Sequence, residues 1–192
     1  MNIVLVAKSS SGKDLAYSHI KENYNVNPLC SLTTRPMRES ETNGKEYYFV
    51  AKEYFLDEIK YNNLLEHRTY NVDFDGKKET WYYGTSKKFI SDEDNILILD
   101  FDGLKSITDI YGKENVYSIY IDVDDDIREL RAKTRGSFCK AEWDRRLIDD
   151  NIKFTKERIN DCDIIIRNNT DKEDFIKNID VVIKNIVSEK DI

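Results

Sequence analysis

Three sets of residues in this 192-residue chain have the types and spacing for phosphate chemistry. The first is Ser9-Ser10-Ser11-Gly12-Lys13-Asp14, directly after the apolar run Ile3-Val4-Leu5-Val6 and Ala7-Lys8. Small residues let a backbone come close to a phosphate, and Gly12 can take turn angles closed to other residues. A helix beginning at Lys13 would aim its free N–H groups and positive dipole end at an anion. Lys13 itself can neutralise β- and γ-phosphate charge. The stretch departs from G-x-x-x-x-G-K-S/T twice: Ala7 stands at the first glycine, and Asp14 stands at the Mg2+-binding hydroxyl.

The second set lies in residues 31–47, where Arg35 and Arg38 stand three apart among Ser31, Thr33 and Thr34. Two guanidinium forks beside hydroxyls suit a dianionic phosphate. The third is Arg128, Arg131 and Arg135, which share one face at helical spacing, with Arg145 and Arg146 beyond a break. Converging arginines stabilise the charge that spreads over a phosphoryl group in transfer. Taken singly, each set also fits a plain role: a strand-to-helix turn, a solvated loop, or an exposed charged helix. Asp124, Asp125 and Asp126 offer Arg128 local partners.

The elements that must position these residues can be read from periodicity. Apolar runs at 3–6, 96–99, 117–123 and 164–166 read as strands buried on both faces. Helical patterns at 13–23, 104–111, 125–134, 142–160 and 172–187 separate or follow them. Strands alternating with helices predict an α/β fold with a parallel sheet covered on both faces. Residues 31–86 break the pattern: they are polar, rich in Tyr and Thr, and carry the turn signal Asn43-Gly44. A short strand at 47–50 and a helix at 52–60 are expected there, within a small inserted subdomain. A second break at 136–140 reads as a mobile flap.

Composition narrows the classes. A net charge of −7 disfavours a nucleic-acid polymer as partner. No apolar stretch reaches the length of a membrane span, and the N-terminus does not read as a signal peptide. Cys30, Cys139 and Cys162 are widely spaced and odd in number, which predicts reduced thiols in a cytoplasmic protein.

Together these residues resemble the guanylate kinase family over nearly the whole chain. Residues 31–47 carry the most specific part, S-x-T-T-R-x-x-R-x-x-E-x-x-G-x-x-Y, with Ser31, Arg35, Arg38, Glu41, Gly44 and Tyr47 at the spelled positions. Downstream, Glu66 and Tyr82-Tyr83-Gly84-Thr85 resemble the family's glutamate and its Y-Y-G-S/T, and 96–103 resembles its strand end I-L-D-x-D-x-Q-G. The resemblance implies a P-loop nucleoside monophosphate kinase: a three-layer P-loop NTPase-type core (1–32, 89–133 and 146–192), an NMP-binding subdomain at 33–88 and a mobile lid at 134–145. It implies ATP as phosphoryl donor, Mg2+, and GMP or dGMP as acceptor.

By the same resemblance, Ser9, Ser10, Ser11, Gly12, Lys13 and Asp14 would hold ATP, with Asn168 near the donor adenine. Arg35, Arg38, Tyr47 and Tyr83 would hold the acceptor phosphate, in a pocket with Ser31 and Glu41. Glu66 and Thr85 would read guanine, Glu66 by accepting from N1–H and N2–H2. Asp100 would face the guanine and the metal, and Asp102 would support the pocket; Asp14, a departure from the family pattern, could ligate Mg2+ directly or through water, since Mg2+ prefers oxygen ligands, or could repel the nucleotide if the metal is absent. Lys13, Arg131, Arg135 and Arg146 would stabilise the moving phosphoryl. Three departures stand out besides Ala7 and Asp14. Gly103 follows Asp102 directly, 72–81 is an insertion with a hairpin turn at 73–76, and Arg167-Asn168-Asn169 replaces Asn-Asp-Asp. The insertion keeps open a kinase of other or broader base preference, and the fold also serves as a phosphopeptide-binding module.

Overall fold

The computed structural model describes residues 1–188 apart from positions 40, 46, 75 and 135–137. In chain order the first half holds β1 (Asn2–Ala7), α1 (Lys13–Asn23), β2 (Asn27–Pro28), β3 (Leu32–Thr33), β4 (Tyr48–Phe49), α2 (Lys52–Lys60), β5 (Leu64–Phe74) and β6 (Lys77–Ser86). The second half holds β7 (Asn95–Ile98), α3 (Phe101–Tyr111), β8 (Val116–Asp122), α4 (Asp125–Thr134), α5 (Lys140–Lys153), α6 (Lys156–Asn160), β9 (Ile164–Arg167) and α7 (Lys172–Ser188).

Five strands form one sheet in the order β2-β7-β1-β8-β9, and every pairing in it is parallel. Alternating residues of β1 divide the core. Ile3 and Leu5 pack with Ala16 and Ile20 of α1 and with Phe175, Ile179 and Ile183 of α7. Val4 and Val6 face the other way, toward Phe101 and Ile107 of α3 and toward Phe154. A strand apolar at every position is thus buried on both faces, and three layers result. The edge strand β9 differs from the expectation of two buried faces: Ile166 is buried, but Ile165 stays half exposed.

Residues 31–86 hold a second sheet, ordered β4-β3-β6-β5, with α2 beside it. Its core is Leu32, Phe55 and Leu64. The insertion at 72–81 forms the far end of a long antiparallel ribbon, paired from Leu64↔Ser86 to Phe74↔Lys77. At its near end the register shifts between Leu64 and Glu66. There a Cβ on Gly84 would lie 2.7 Å from the Glu66 carbonyl oxygen, so only glycine lets the strands approach.

Two helices differ from their expected bounds, each through a cap. The helix expected at 104–111 begins at Phe101, because the Asp100 side chain accepts from the Gly103 N–H at 2.9 Å. The helix expected at 142–160 is two helices. Phe154 turns into the core against Phe101, and Thr155 caps a new helix by accepting from the Arg158 N–H at 3.4 Å. Among the described residues, no helix is long and apolar enough to cross a membrane.

The central strand should dominate stability. Leu5→Ala, at a fully buried site, is expected to lower the unfolding free energy by about 2–5 kcal/mol. Ile165→Ala on the edge strand should change it by no more than about 0.5–1 kcal/mol. Urea unfolding of the two variants measures both, and equal losses would reject the assignment of β9 as a half-exposed edge.

Candidate active site

β1 delivers residues 8–12 to the carboxyl edge of the parallel sheet, where open α/β sheets bind ligands. The turn there is tight: Ser10 has φ 61° and Gly12 φ 92°. A Cβ on Gly12 would meet the Asn168 side-chain nitrogen at 2.7 Å. The loop's carbonyls are held inside the protein. Lys8 O accepts from Ser11 Oγ at 2.8 Å, Ser9 O from Arg128 Nε at 2.7 Å, and Ser11 O from Asn168 Nδ2 at 2.8 Å. Gly12 O accepts from the Ala16 N–H at 3.1 Å and opens α1. A loop meant for an anion must be built this way, since a carbonyl facing a phosphate would repel it. Lys13 Nζ rests on Asp14 Oδ2 at 3.3 Å.

The expected acceptor residues gather on the second sheet. Arg35 is buried and grips Glu41 with both arms of its fork, NH1 to Oε2 at 3.0 Å and NH2 to Oε1 at 2.7 Å. This bond to Arg35 holds the Glu41 carboxyl below the usual carboxylate range. The guanidinium lies 5.8 Å from the Tyr47 ring centroid, and Tyr47 meets Tyr83 edge-on at 5.7 Å. Glu41 also accepts from the Arg38 N–H at 2.8 Å, leaving the Arg38 side chain exposed at the rim.

A second chain of contacts runs behind this cluster. Ser31 Oγ and Thr85 Oγ1 are 3.0 Å apart, and Thr85 Oγ1 donates to Glu66 Oε1 at 2.9 Å. Burial pushes the Glu66 carboxyl above its ordinary value, while Arg68 and the Thr85 bond pull it back. Arg68 NH2 lies 2.5 Å from Asp100 Oδ2, and Arg68 Nε lies 4.0 Å from Glu66. The site thus sets a buried carboxylate, Asp100, and a mostly buried one, Glu66, around one guanidinium. Arg68 escaped the sequence reading, although its place two residues after Glu66 puts it on the same face of β5. Tyr70, two further on, meets Tyr83 edge-on at 5.5 Å and lies under Arg145 of α5 at 5.9 Å.

Other expected residues sit apart from these clusters. Asp102 is exposed and pairs with Arg158 at 3.1 Å, because α3 starts at Phe101 and turns Asp102 away from Asp100. Asn168 is buried, and its side chain is engaged by Ser11 O and by Arg131 NH2 at 3.3 Å. It therefore braces the loop. Arg146 is tied to Glu142 at 2.7 Å; Arg145 and Arg146 hold that carboxyl down to about 2. Arg135 lies outside the described residues.

Both oxygens of Asp100 are taken, by the Gly103 N–H and by Arg68. Asp14 is largely exposed beside Lys13 and keeps oxygen for a hard cation. Among the described residues, no group of three or more His, Cys, Asp or Glu side chains is placed to hold a metal. One carboxylate at a phosphate loop still fits Mg2+, which takes most of its other oxygens from nucleotide phosphates and water.

Gly12 gives a direct test of the loop. In Gly12→Ala the new Cβ collides with Asn168 at a left-handed φ, and the strain should cost about 1–3 kcal/mol. Calorimetry should show lost nucleotide binding, and normal binding by a folded Gly12→Ala would remove the loop from the site.

Comparison with known proteins agrees with the geometry. The guanylate kinase family model matches residues 1–186. A guanylate kinase from Mesoplasma florum is 30% identical over 95% of this chain, and the chain spans 65% of that protein's length. A guanylate kinase from Malacoplasma penetrans is 29% identical over 98% of this chain and 92% of its own. The crystal structure of guanylate kinase from Anaplasma phagocytophilum shares the fold, with a TM-score of 0.62 at 23% identity over 98% of this chain and 86% of that one. A family match that runs through both sheets and all but the last six residues leaves no alternative placement: the chain belongs to the guanylate kinase family.

Proposed function

We propose that this protein transfers the γ-phosphoryl group of ATP to GMP or dGMP, giving ADP and GDP or dGDP. The observation that carries the reading is the Glu66–Thr85–Ser31 chain beside the Arg35–Tyr47–Tyr83 cluster. It pairs a buried acceptor carboxylate for a base with a cation for a phosphate. An ionised Glu66 accepts from the N1–H and N2–H2 of guanine, a donor pair that adenine lacks. Asp100 lines the same pocket.

No side chain needs to act as nucleophile. An oxygen of the acceptor phosphate attacks the γ-phosphorus, and the bond from that phosphorus to the β,γ-bridging oxygen breaks, leaving ADP. Catalysis is positioning plus charge stabilisation. Arg35, Arg38, Tyr47 and Tyr83 hold the acceptor in line. Ser9, Ser10, Ser11 and Gly12 cradle the donor phosphates, and Lys13, Arg131, Arg135 and Arg146 offset the charge on the transferring group. Asp14 is the residue that would hold Mg2+, which would supply further neutralisation of phosphate charge. Closure of residues 134–145 as a lid over the subdomain at 33–88 excludes water. Cys30, Cys139 and Cys162 form no disulfide among the described residues, which supports a reducing, cytoplasmic setting.

Arg68 favours a second reading. Its guanidinium pairs with both Glu66 and Asp100, engaging the carboxylates that would accept from guanine, and this favours a kinase of broader base preference. A coupled assay with ATP, Mg2+ and each of GMP, dGMP, AMP, dTMP and dCMP decides between them. The main reading expects rates with guanine nucleotides at least about a hundredfold above the rest, as befits a hydrogen-bonding base site. Lys13→Ala should lower kcat by about a hundredfold or more with the fold intact. Absence of transfer to any nucleotide would leave the phosphopeptide-binding module as the better account.

A pH dependence follows from Glu66. Guanine recognition needs its carboxylate, and burial raises its pKa. The KM for GMP should therefore climb on acidification at a higher pH than an ordinary glutamate, near about 4.3, would produce. The kcat at saturating GMP should stay level. The fold responds with the opposite sign: a carboxyl raised in the folded state stabilises it below the unfolded value and loses that contribution as pH rises through the folded one. Glu66→Gln should abolish the acid limb in KM, and an unchanged limb would assign it elsewhere.

A further inference from the structure

Arg128 is fully buried, yet nothing in the transfer chemistry uses it. Its guanidinium is closed in by three elements. Nε donates to Ser9 O at 2.7 Å, NH1 to Asp125 Oδ1 at 2.6 Å, and NH2 to Asp150 Oδ2. The Trp143 ring of α5 lies 5.5 Å from its carbon. Asp150, itself buried on α5, completes a cycle: its Oδ2 also accepts the Ser9 N–H at 3.1 Å. The two side chains thus grip the backbone of one residue by both its polar groups. That residue is in the phosphate loop.

We propose that Arg128 and Asp150 are positioning residues for the donor phosphates, clamping Ser9 and tying the loop to both α4 and α5. The proposal rests on the reading of residues 8–14 as the ATP phosphate site. Packing alone does not account for the pair. Well-packed apolar residues of similar volume commonly replace a buried ion pair without loss of stability. What apolar residues cannot do is donate to the Ser9 carbonyl and accept from its N–H. Released, the Ser9 carbonyl can turn toward the phosphates and repel them, and its N–H loses its fixed direction.

The link also reaches the lid arginines. Arg128 sits on α4 three residues before Arg131, and Asp150 sits on α5 four residues after Arg146. Arg131 in turn bonds the Asn168 carbonyl at 3.0 Å, whose side chain holds Ser11. Loop, α4 and α5 are therefore joined at Ser9, and loop and α4 again at Ser11 through Asn168. An arginine carried by either helix keeps a set relation to the phosphates that the loop holds.

The test compares the full chain with Arg128→Met/Asp150→Leu, which swaps the pair for apolar groups of similar length. Melting temperature, calorimetric Kd for ADP, and KM for ATP and for GMP are measured on each. We expect a folded double variant whose Kd for ADP and KM for ATP rise at least about tenfold, the factor carried by about 1.4 kcal/mol. The KM for GMP should stay within about twofold. Unchanged ADP and ATP affinity in the folded double variant overturns the proposal. So does an equal loss for ATP and GMP, which would mark general damage. Should the double variant not fold, Arg128→Lys decides: it keeps the charge but lacks the fork that reaches Ser9 O and Asp150 together. The same ATP-selective loss is expected, and wild-type affinity overturns the proposal. Lys13→Ala is assayed alongside. If it binds ADP normally, the loop reading itself has failed; if only the Arg128 variants do, the clamp alone has failed.

Discussion

The rest of the molecule depends on β1 being hydrogen-bonded along both edges and buried on both faces. It pairs in parallel with β7 on one side and β8 on the other, with Val4 and Val6 to one layer and Ile3 and Leu5 to the other. A strand so enclosed cannot slip by one residue without sending a whole apolar set to the wrong layer. Its register fixes where Lys8 leaves the sheet, and so where the phosphate loop starts. Because β7 and β8 run the same way, Asp100 and the Asp124–Arg131 region emerge at that same edge. Parallel pairing is what brings three distant parts of the chain to one rim.

At that rim the protein has solved an electrostatic problem. The chain is net acidic, so a site for polyanions such as the proposed nucleotides requires its cations to be concentrated and aimed. Four of the candidate site cations have a carboxylate partner in the structure: Lys13 with Asp14, Arg35 with Glu41, Arg68 with Asp100, and Arg146 with Glu142. These partners hold long side chains near their working positions, which reduces the rotamer entropy lost on binding. They also set an order of strength. The exposed pairs are weak and easily exchanged for a phosphate. The buried Arg35–Glu41 fork should persist as scaffold, because breaking it would leave a buried charge uncompensated.

The inserted ribbon joins the two halves of the site. Extending β5 and β6 carries Tyr70 between Tyr83 on the acceptor side and Arg145 on α5. Arg68, two residues before Tyr70 on the same strand, lies beside Asp100. The ribbon therefore links the Glu66–Asp100 cluster to α5 through Arg68 and Tyr70. Its tip is closed by Phe74 against Trp81, edge-on at 5.3 Å, so the ribbon has side-chain packing of its own.

The sequence by itself determined what local rules govern. Helices α1, α2 and α4 fall where periodicity put them, as do the cores of β1, β7 and β8, because burial on one face or two writes its period into neighbouring residues. The motif in residues 31–47 likewise named Arg35, Glu41 and Tyr47 before their contact was visible. Tertiary structure decided the rest, since pairing partners far apart leave no period. It turned Asp102 outward through a helix that starts early, and it turned Asn168 inward to brace the loop. It made Arg128 a buried clamp with Asp150, where the sequence offered only neighbouring aspartates. It also supplied Arg68 to the base pocket. Each outcome depends on which strands lie side by side, and hydrogen bonds between residues dozens of positions apart follow from folding topology, not from any local pattern.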